Sequence, residues 1–165
     1  MKKEVRLYNV LFPIWLLWIF PQVWLVLLPG NLLIDCLVLT GALFVLKHRN
    51  KWAVVRKLWW KFWLLGFLAD FVGVLWMVVA LSIVSNAEAN SWWYESLSYA
   101  MHNPFGHPVA FLWTLAGVTL AGYCIYRFDK WAMKSCVLLS EGERHKIALA
   151  MAMITAPWLF FIPLY

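Results

Sequence analysis

Long apolar stretches alternate with short basic segments along this chain of 165 residues. A transmembrane helix needs about 20 consecutive apolar residues. The first apolar block, residues 7–46, is roughly twice that long, and Pro29-Gly30-Asn31 interrupts it with residues typical of a turn. The pattern therefore predicts an all-α integral membrane bundle, one domain over 1–165, with five transmembrane helices at 7–28, 31–46, 62–85, 109–127 and 147–165.

The basic residues predict how this bundle is oriented. All 14 Lys and Arg residues fall in segments that can lie on one side of the membrane. Basic residues beside membrane spans stay on the cytoplasmic side during insertion. Five crossings then place the N-terminus inside and the C-terminus outside. Residues 86–108, which contain no Lys or Arg, become the one sizeable external loop.

The charge pattern leaves the depth of the first block open, because both ends of residues 7–46 are basic. Two full crossings satisfy it, and so does a re-entrant N-terminal hairpin, which would leave three spans. The leg at 31–46 would be only about 24 Å long as a helix, against a hydrocarbon core of about 30 Å. The wide spread of Trp15, Trp18 and Trp24 favours two crossings.

Composition excludes a soluble domain. Hydrophobic residues make up 64% of the chain and charged residues 13%, against roughly 45–50% and 25% in soluble domains. A soluble domain of this length could not bury so much apolar surface. The net charge of +6 is interleaved with spans and Trp residues, which indicates a bilayer with an anionic inner leaflet as the partner and no nucleic acid. The three cysteines lack the spacing of a disulfide framework or a metal site.

Asp70 is the leading candidate for a functional residue, because it falls inside the predicted span 62–85. A carboxyl group in lipid costs several kcal/mol, so such groups usually face protein or water. Asp70 shares a helical stripe with small residues, which mark helix contacts in membranes, whereas large apolar residues occupy the opposite face. Asp70 is therefore predicted to point into the bundle. It is either a proton, cation or substrate site, or a buried acid satisfied by hydrogen bonds.

Asp35 and Gln22 are further polar candidates in the first block. Asp35 follows the predicted turn by one helical turn, so it is expected near the outer interface and at a different depth from Asp70. The two carboxylates could meet only if the first block is re-entrant. Gln22 lies beside Pro21, which removes a backbone donor and either breaks the helix, as in transporter sites, or simply kinks it.

The external loop offers a weak metal candidate and an aromatic surface. His102 and His107 flank Asn103-Pro104-Phe105-Gly106, which reads as a type I turn. Their spacing fits no helical face and a third His or Cys is missing, so no metal is predicted. The Trp, Tyr and Phe residues of 91–108 are instead expected to form a belt at the membrane surface.

Two later spans carry small residues at helical spacing, in the order Thr114, Gly117, Ala121, Cys124 and then Ala148, Ala152, Ala156. Such stripes indicate close packing with another helix of the chain, with a membrane-protein partner or with a second copy. No metalloprotease, nucleophile-elbow, P-loop or dinucleotide motif occurs. No His lies within a predicted span to bind haem. The sequence therefore predicts neither an enzyme nor a cofactor.

The opening stretch, Arg6-Leu7-Tyr8-Asn9 to Phe12-Pro13 and on to Pro29-Gly30-Asn31, resembles small multi-pass proteins known from bacterial genomes. The Trp-Trp-Tyr-Glu and Asn-Pro-Phe segments are similar as well. The resemblance implies a bacterial cytoplasmic membrane and no particular activity. The leading prediction is a non-catalytic accessory, assembly or transport-associated subunit. The alternative is a small transporter or channel that uses Asp70, and an intramembrane lipid-modifying enzyme has the least support.

Overall fold

The computed structural model describes residues 21–163, with side chains from residue 25 onward. Every regular element of this part of the chain is helical. The five α-helices are α1 (Pro21–Val45), α2 (Lys51–Asn86), α3 (Trp92–Ser98), α4 (Pro108–Met133) and α5 (Glu141–Ile154). Of these, α1, α2 and α4 are long and apolar enough to cross a membrane. The all-helical class is confirmed, and the spans predicted at 62–85 and 109–127 fall within α2 and α4.

The predicted turn at Pro29-Gly30-Asn31 is wrong, because α1 continues through it without a break. A proline removes one backbone hydrogen bond, here to the carbonyl of Leu25, and membrane helices tolerate this where neighbouring groups compensate. Close to the proline, the indole of Trp63 on α2 donates to the carbonyl of Leu28 at 3.0 Å and so ties this part of α1 to α2. The division into spans 7–28 and 31–46 therefore fails, and so does a hairpin that turns at 29–31. Residues 1–20 lie outside the described part.

The predicted fifth span, 147–165, is not one continuous helix. Its helix, α5, begins earlier because Ser140 and Glu143 form a reciprocal capping box at its start. It has 14 residues, or about 21 Å, which is shorter than the ~30 Å hydrocarbon core. Pro157 cannot donate to the carbonyl of Met153, and the indole of Trp158 donates to it instead, at 3.0 Å. The chain then continues through a 3₁₀ turn.

The chain after this break continues to the far end of the bundle. We call the two ends the basic end, where α1 meets α2 and α4 meets α5, and the aromatic end, which holds α3 and residues 99–107. The ring of Phe161 lies 5.8 Å from that of Phe105 and 5.4 Å from that of Phe111, both at the aromatic end. The last described segment therefore traverses the bundle as a helix followed by irregular backbone.

Two apolar clusters form the core. One lies toward the basic end and includes Leu39, Leu58, Phe62, Ile125 and Ile147. The other lies toward the aromatic end and includes Val74, Met77, Val118 and Phe160. On α2 the first cluster ends at Ala69 and the second begins at Val74. Asp70 therefore occupies the boundary between the two clusters.

Polar side chains fasten α5 at the basic end. Nδ1 of His48, in the α1–α2 connection, lies 2.9 Å from Oε1 of Glu143. Lys130 on α4 pairs with Glu141 at 3.0 Å, and Arg144 donates to the carbonyl of Cys136 at 3.1 Å. These contacts hold the start of α5 against the rest of the bundle.

At the aromatic end, the predicted turn is confirmed. The amide of Gly106 donates to the carbonyl of Asn103 at 2.9 Å, and the Asn103 side chain accepts from the amide of Phe105 at 3.2 Å. The turn packs against Tyr99. Exposed rings of Trp92, Trp93 and Phe105 give this end the aromatic surface that the sequence indicates.

Candidate intramembrane carboxylate site

A cavity of about 520 Å³ lies between α1, α2 and the segment that follows α5. Its polar lining comes from Asn31 and Asp35 on α1, Asp70 on α2 and Thr155 beyond α5. The other described residues that line it are mostly apolar and aromatic. The structure thus brings together two of the three predicted polar candidates. The third, Gln22, lies in the first turn of α1, and its side chain falls outside the described set.

Asp70 points into the bundle, as its stripe predicts. Ala69 and Gly73 beside it are buried, whereas Leu68 and Phe71 are exposed on the opposite face. Nδ2 of Asn31 is 3.5 Å from Oδ2 of Asp70, a long hydrogen bond between α1 and α2. Oδ1 is buried and has no hydrogen-bond partner within the described chain. Asp70 therefore retains capacity for a ligand.

Asp35 lines the same cavity, which corrects the prediction that it lies near the outer interface at another depth. The physical reason is the continuity of α1: without a turn at 29–31, Asp35 falls in the middle of a helix and meets the middle of α2. Only 6% of the residue is exposed. A Cβ placed on Gly66 would lie 3.5 Å from its Oδ2. Asp35 forms no hydrogen bond or ion pair with any other part of the described chain.

The end of α5 supplies a third source of negative potential. A helix C-terminus carries a partial negative charge from its unpaired carbonyls. The amide and hydroxyl of Thr155 both donate to the carbonyl of Met151, at 2.8 Å each. Among the hydrogen bonds of residues 21–163, none reaches the carbonyls of Ile154 or Thr155, two residues that line the cavity. Irregular backbone at membrane depth is tolerated where it lines a cavity.

A further carboxylate, Asp129 on α4, is buried in the bundle and is not among the candidates that the sequence predicts. The predicted fourth span ends at residue 127, which places Asp129 in the segment between the fourth and fifth spans. The structure extends α4 to Met133 and leaves Asp129 only 1% exposed. The signal was its spacing: Asp129 lies four residues after Ile125 and eight after Ala121, on the face that packs inside the bundle. Both of its oxygens lack hydrogen-bond partners in the described residues.

The two histidines do not join this site. Both lie at the aromatic end, where Tyr99 is 5.2 Å from the His102 ring and 6.1 Å from the His107 ring, centre to centre. Nδ1 of His107 accepts from the amide of Val109 and caps α4. Burial lowers the pKa of His102, and a hydrogen bond to the Ser98 backbone partly opposes it. No group of three His, Cys, Asp or Glu side chains suited to a metal occurs in the described part.

The small-residue stripes pack within the chain. A Cβ on Gly117 would lie 2.9 Å from the Trp76 ring, and one on Gly122 would lie 3.3 Å from the carbonyl oxygen of Ala152. Thr114, Ala121 and Ala148 are buried. Both stripes, for which the sequence leaves an internal helix, a membrane-protein partner and a second copy open, thus have packing contacts inside the bundle.

Comparison of the chain with family models, curated proteins and solved structures finds no match.

Proposed function

We propose that the protein is a small membrane transporter that binds an organic cation at Asp35 and Asp70. The observation that carries the proposal is the convergence of two carboxylates, from different helices, on one cavity. Acids inside membrane spans are costly and often mark the path of an ion or substrate. Neither carboxylate has an ion-pair partner among the described residues, whose ion pairs involve His48, Lys130 and Arg144 at the basic end. A bound cation would supply the missing counter-charge.

The cavity favours a cation with an apolar body over a bare metal ion. Its volume of about 520 Å³ lies within the ~300–1,000 Å³ typical of sites for small organic molecules. Ile34, Trp158 and Phe160 contribute apolar and aromatic wall, and aromatic faces attract cations. The end of α5 adds its partial negative charge. Broken helices at membrane depth form ion and substrate sites in transporters.

The proposed orientation follows from charge. Every Lys and Arg of the described chain lies at the basic end, in 47–61 or 127–146, so we place this end on the cytoplasmic side. The final segment then runs outward past Phe161, in keeping with an external C-terminus. The predicted cytoplasmic N-terminus lies in residues 1–20, outside the described part of the chain. The bacterial cytoplasmic membrane remains the predicted location.

The role of accessory or assembly subunit stays a prediction. The internal packing of Gly117 and Gly122 weakens the argument for it, because the small-residue faces already have partners. Packing contacts inside the bundle do not, by contrast, explain why two carboxylates line one cavity.

Uptake by proteoliposomes tests the proposal. Purified protein is reconstituted, and entry of radiolabelled methyl viologen, an aromatic cation that crosses lipid bilayers poorly, is followed against protein-free liposomes. Tetraphenylphosphonium, an organic cation with a larger apolar body, crosses bilayers unaided and therefore serves for binding measurements only. We expect Asp35→Asn and Asp70→Asn each to reduce uptake at least about tenfold, because the attraction between a carboxylate and a nearby cation amounts to about 1–4 kcal/mol, depending on the local dielectric constant.

The matched control is Glu88→Gln, which removes one negative charge at an exposed position outside the cavity. It should transport as the wild type does. Uptake equal to that of empty liposomes for the wild type, or unchanged uptake by both Asn variants, contradicts the proposal.

A further inference from the structure

The cavity wall changes from polar inside the bundle to apolar at the bundle surface. Asp35, between the helices, is only 6% exposed. Other lining residues are large, apolar and about half exposed. They are Ile34 on α1 and, at or beyond the end of α5, Ile154, Trp158, Leu159 and Ile162. The cavity therefore reaches the surface of the bundle between α1 and the segment that follows α5.

This opening lies at the depth of the hydrocarbon core. Asp35 precedes Lys47, the first basic residue after α1, by twelve residues, and Asp70 follows Lys61, the last basic residue of α2, by nine. At a rise of 1.5 Å per residue these separations are about 18 and 14 Å. Basic residues flank membrane spans at the membrane surface, and the hydrocarbon core is about 30 Å thick. Both carboxylates therefore fall near the middle of the core.

The two surfaces beside the opening are suited to lipid. Every exposed residue in 25–45 of α1 is apolar or glycine, and every exposed residue in 147–163 is apolar. The one polar group among the latter, the Trp158 indole N–H, already donates to the carbonyl of Met153. Apolar surface of this extent is unfavourable in water, so lipid chains border the opening.

A ligand that matches this arrangement has a cationic head and an apolar tail. The two carboxylates and the carbonyl end of α5 attract the head, and the ring of Trp158 at the opening attracts cations as well. The tail of such a molecule stays in hydrocarbon throughout. Only the head has to leave water, and the carboxylates offset the cost of removing its charge from water.

We propose that the cavity admits its ligand sideways from the bilayer and that this ligand is an amphiphilic cation with a single alkyl chain. Its ammonium head binds between Asp35 and Asp70, and its chain passes between Ile34 and Leu159 into the lipid. The inference rests on the proposed function, since it names the substrate class of that site and its route of entry.

Collision measurements on nitroxide labels test the opening without any cation. Labels are attached singly at Ile34→Cys and Leu159→Cys in a chain with the native cysteines replaced, reconstituted in lipid. Oxygen concentrates in hydrocarbon, whereas a nickel chelate stays in water. Leu33→Cys is the lipid-facing control, and Glu88→Cys, at an exposed position outside the spans, is the water-facing control.

We expect both labels at the opening to collide with oxygen as often as the Leu33 label does. They should meet the nickel chelate at least about fivefold less often than the Glu88 label does, since a polar solute is excluded from hydrocarbon. Nickel access equal to that of the Glu88 label would show a water-filled opening and overturn the lateral route.

The length of the alkyl chain tests the ligand. Tetraphenylphosphonium bound to the protein in lipid nanodiscs is displaced by tetramethylammonium or by decyltrimethylammonium, and binding to the Asp35→Asn/Asp70→Asn variant is subtracted as lipid background. We expect decyltrimethylammonium to act at a concentration at least about a hundredfold lower, because each methylene removed from water contributes about 0.8 kcal/mol.

Bulk at the opening tests where the chain lies. Ile34→Trp and Leu159→Trp narrow the opening from opposite sides, and each should raise the half-displacing concentration of decyltrimethylammonium at least about fivefold, because overpacking costs about 1–3 kcal/mol. The matched control, Leu33→Trp, adds the same ring to exposed surface outside the described cavity wall and should change it within about twofold. Displacement by tetramethylammonium, which has no chain, should change as little in all three variants.

These measurements separate a wrong ligand route from a wrong site. If the wild type does not bind tetraphenylphosphonium, the cation site is wrong and the amphiphile proposal falls with it. If it binds and both Asn variants weaken the binding, the cation site stands. The lateral route is then overturned if decyltrimethylammonium displaces no better than tetramethylammonium, or if Ile34→Trp and Leu33→Trp have equal effects.

Discussion

Gly66 of α2 lies directly beside the carboxylate of Asp35 on α1: a Cβ at position 66 would stand 3.5 Å from Oδ2. This distance is ordinary van der Waals contact, so the site accepts one methyl group. A branched side chain would extend into the carboxylate and the cavity. The close approach of the two helices at this glycine gives both Asp35 and Asp70 access to one ligand.

The loss of cation binding caused by a substitution at Gly66 should therefore increase with the size of the new side chain. We expect Gly66→Ala to bind tetraphenylphosphonium within about twofold of the wild type, and Gly66→Leu to bind at least about tenfold more weakly, since overpacking costs about 1–3 kcal/mol. Equilibrium dialysis in detergent measures both. Gly30→Leu is the matched control, because nothing lies within 4 Å of a Cβ there. Tight binding by Gly66→Leu would show that the cavity is not the site.

The continuity of α1 predicts the distance between two labels placed near its opposite ends. Val26 and Val45 are both exposed, so spin labels at these positions disturb no core contact. An unbroken helix separates their backbones by about 28 Å, at 1.5 Å per residue. Pulsed electron resonance should report a distribution centred near that separation, in a background with the three cysteines replaced. A centre below about 20 Å, as a hairpin at 29–31 requires at the same rise per residue, would restore the turn.

Gly106 leaves no room for a side chain. A Cβ there would collide with Cδ1 of Tyr99, and the Tyr99 ring is stacked with His107. We expect Gly106→Ala to lower the free energy of unfolding by about 1–3 kcal/mol, measured by thermal unfolding in detergent. Adding Tyr99→Ala should recover part of the loss. Gly142→Ala, at an open helical position, is the control and should be neutral or stabilising; equal effects at both glycines would contradict the packing.

The hydrogen bonds that Glu143 accepts should make the stability of the protein depend on pH. Hydrogen bonds from the Ser140 amide, then from His48 and the Ser140 hydroxyl, lower the pKa of Glu143 to about 2 from an ordinary value of 4.5. Because the folded pKa is the lower one, the stabilisation is complete above pH 4.5 and is lost as the pH falls toward 2. The unfolding temperature of Glu143→Gln should lie below that of the wild type above pH 4.5, and the gap should close on acidification. A gap independent of pH would place the effect elsewhere.

The inward and outward faces of α2 could be predicted from the sequence, because helical periodicity alone sets them and lipid demands large apolar residues outside. The turn at Pro29-Gly30-Asn31 misled for a physical reason. The turn rule describes chains in water, whereas in a long apolar helix the remaining backbone hydrogen bonds keep Pro29 within α1. The indole of Trp63 also ties the carbonyl of Leu28 to α2. The wrong prediction that Asp35 and Asp70 lie at different depths followed from that single error.

Asp129 and the break after α5 depend on tertiary structure. Hydropathy ends the predicted fourth span at Arg127, which is exposed. Asp129, only two residues later, is nevertheless buried on the inward face of α4. Pro157 is visible in the sequence as a residue that interrupts helices. The hydrogen bond from the Trp158 indole, which replaces the lost backbone donor, forms only in the folded chain. Sequence periodicity finds a face, and only the packed helices show which groups on it lack partners.

The central claim is that Asp35 and Asp70 form one cation site, and a double-mutant cycle of tetraphenylphosphonium binding tests it most directly. Titration calorimetry on the wild type, Asp35→Asn, Asp70→Asn and the double variant gives the four dissociation constants. We predict that each single substitution weakens binding at least about tenfold and that the double variant is far less than multiplicatively worse, because the two residues act on one ligand. Affinities unchanged by either substitution, or two independent losses that multiply fully, would contradict a shared site.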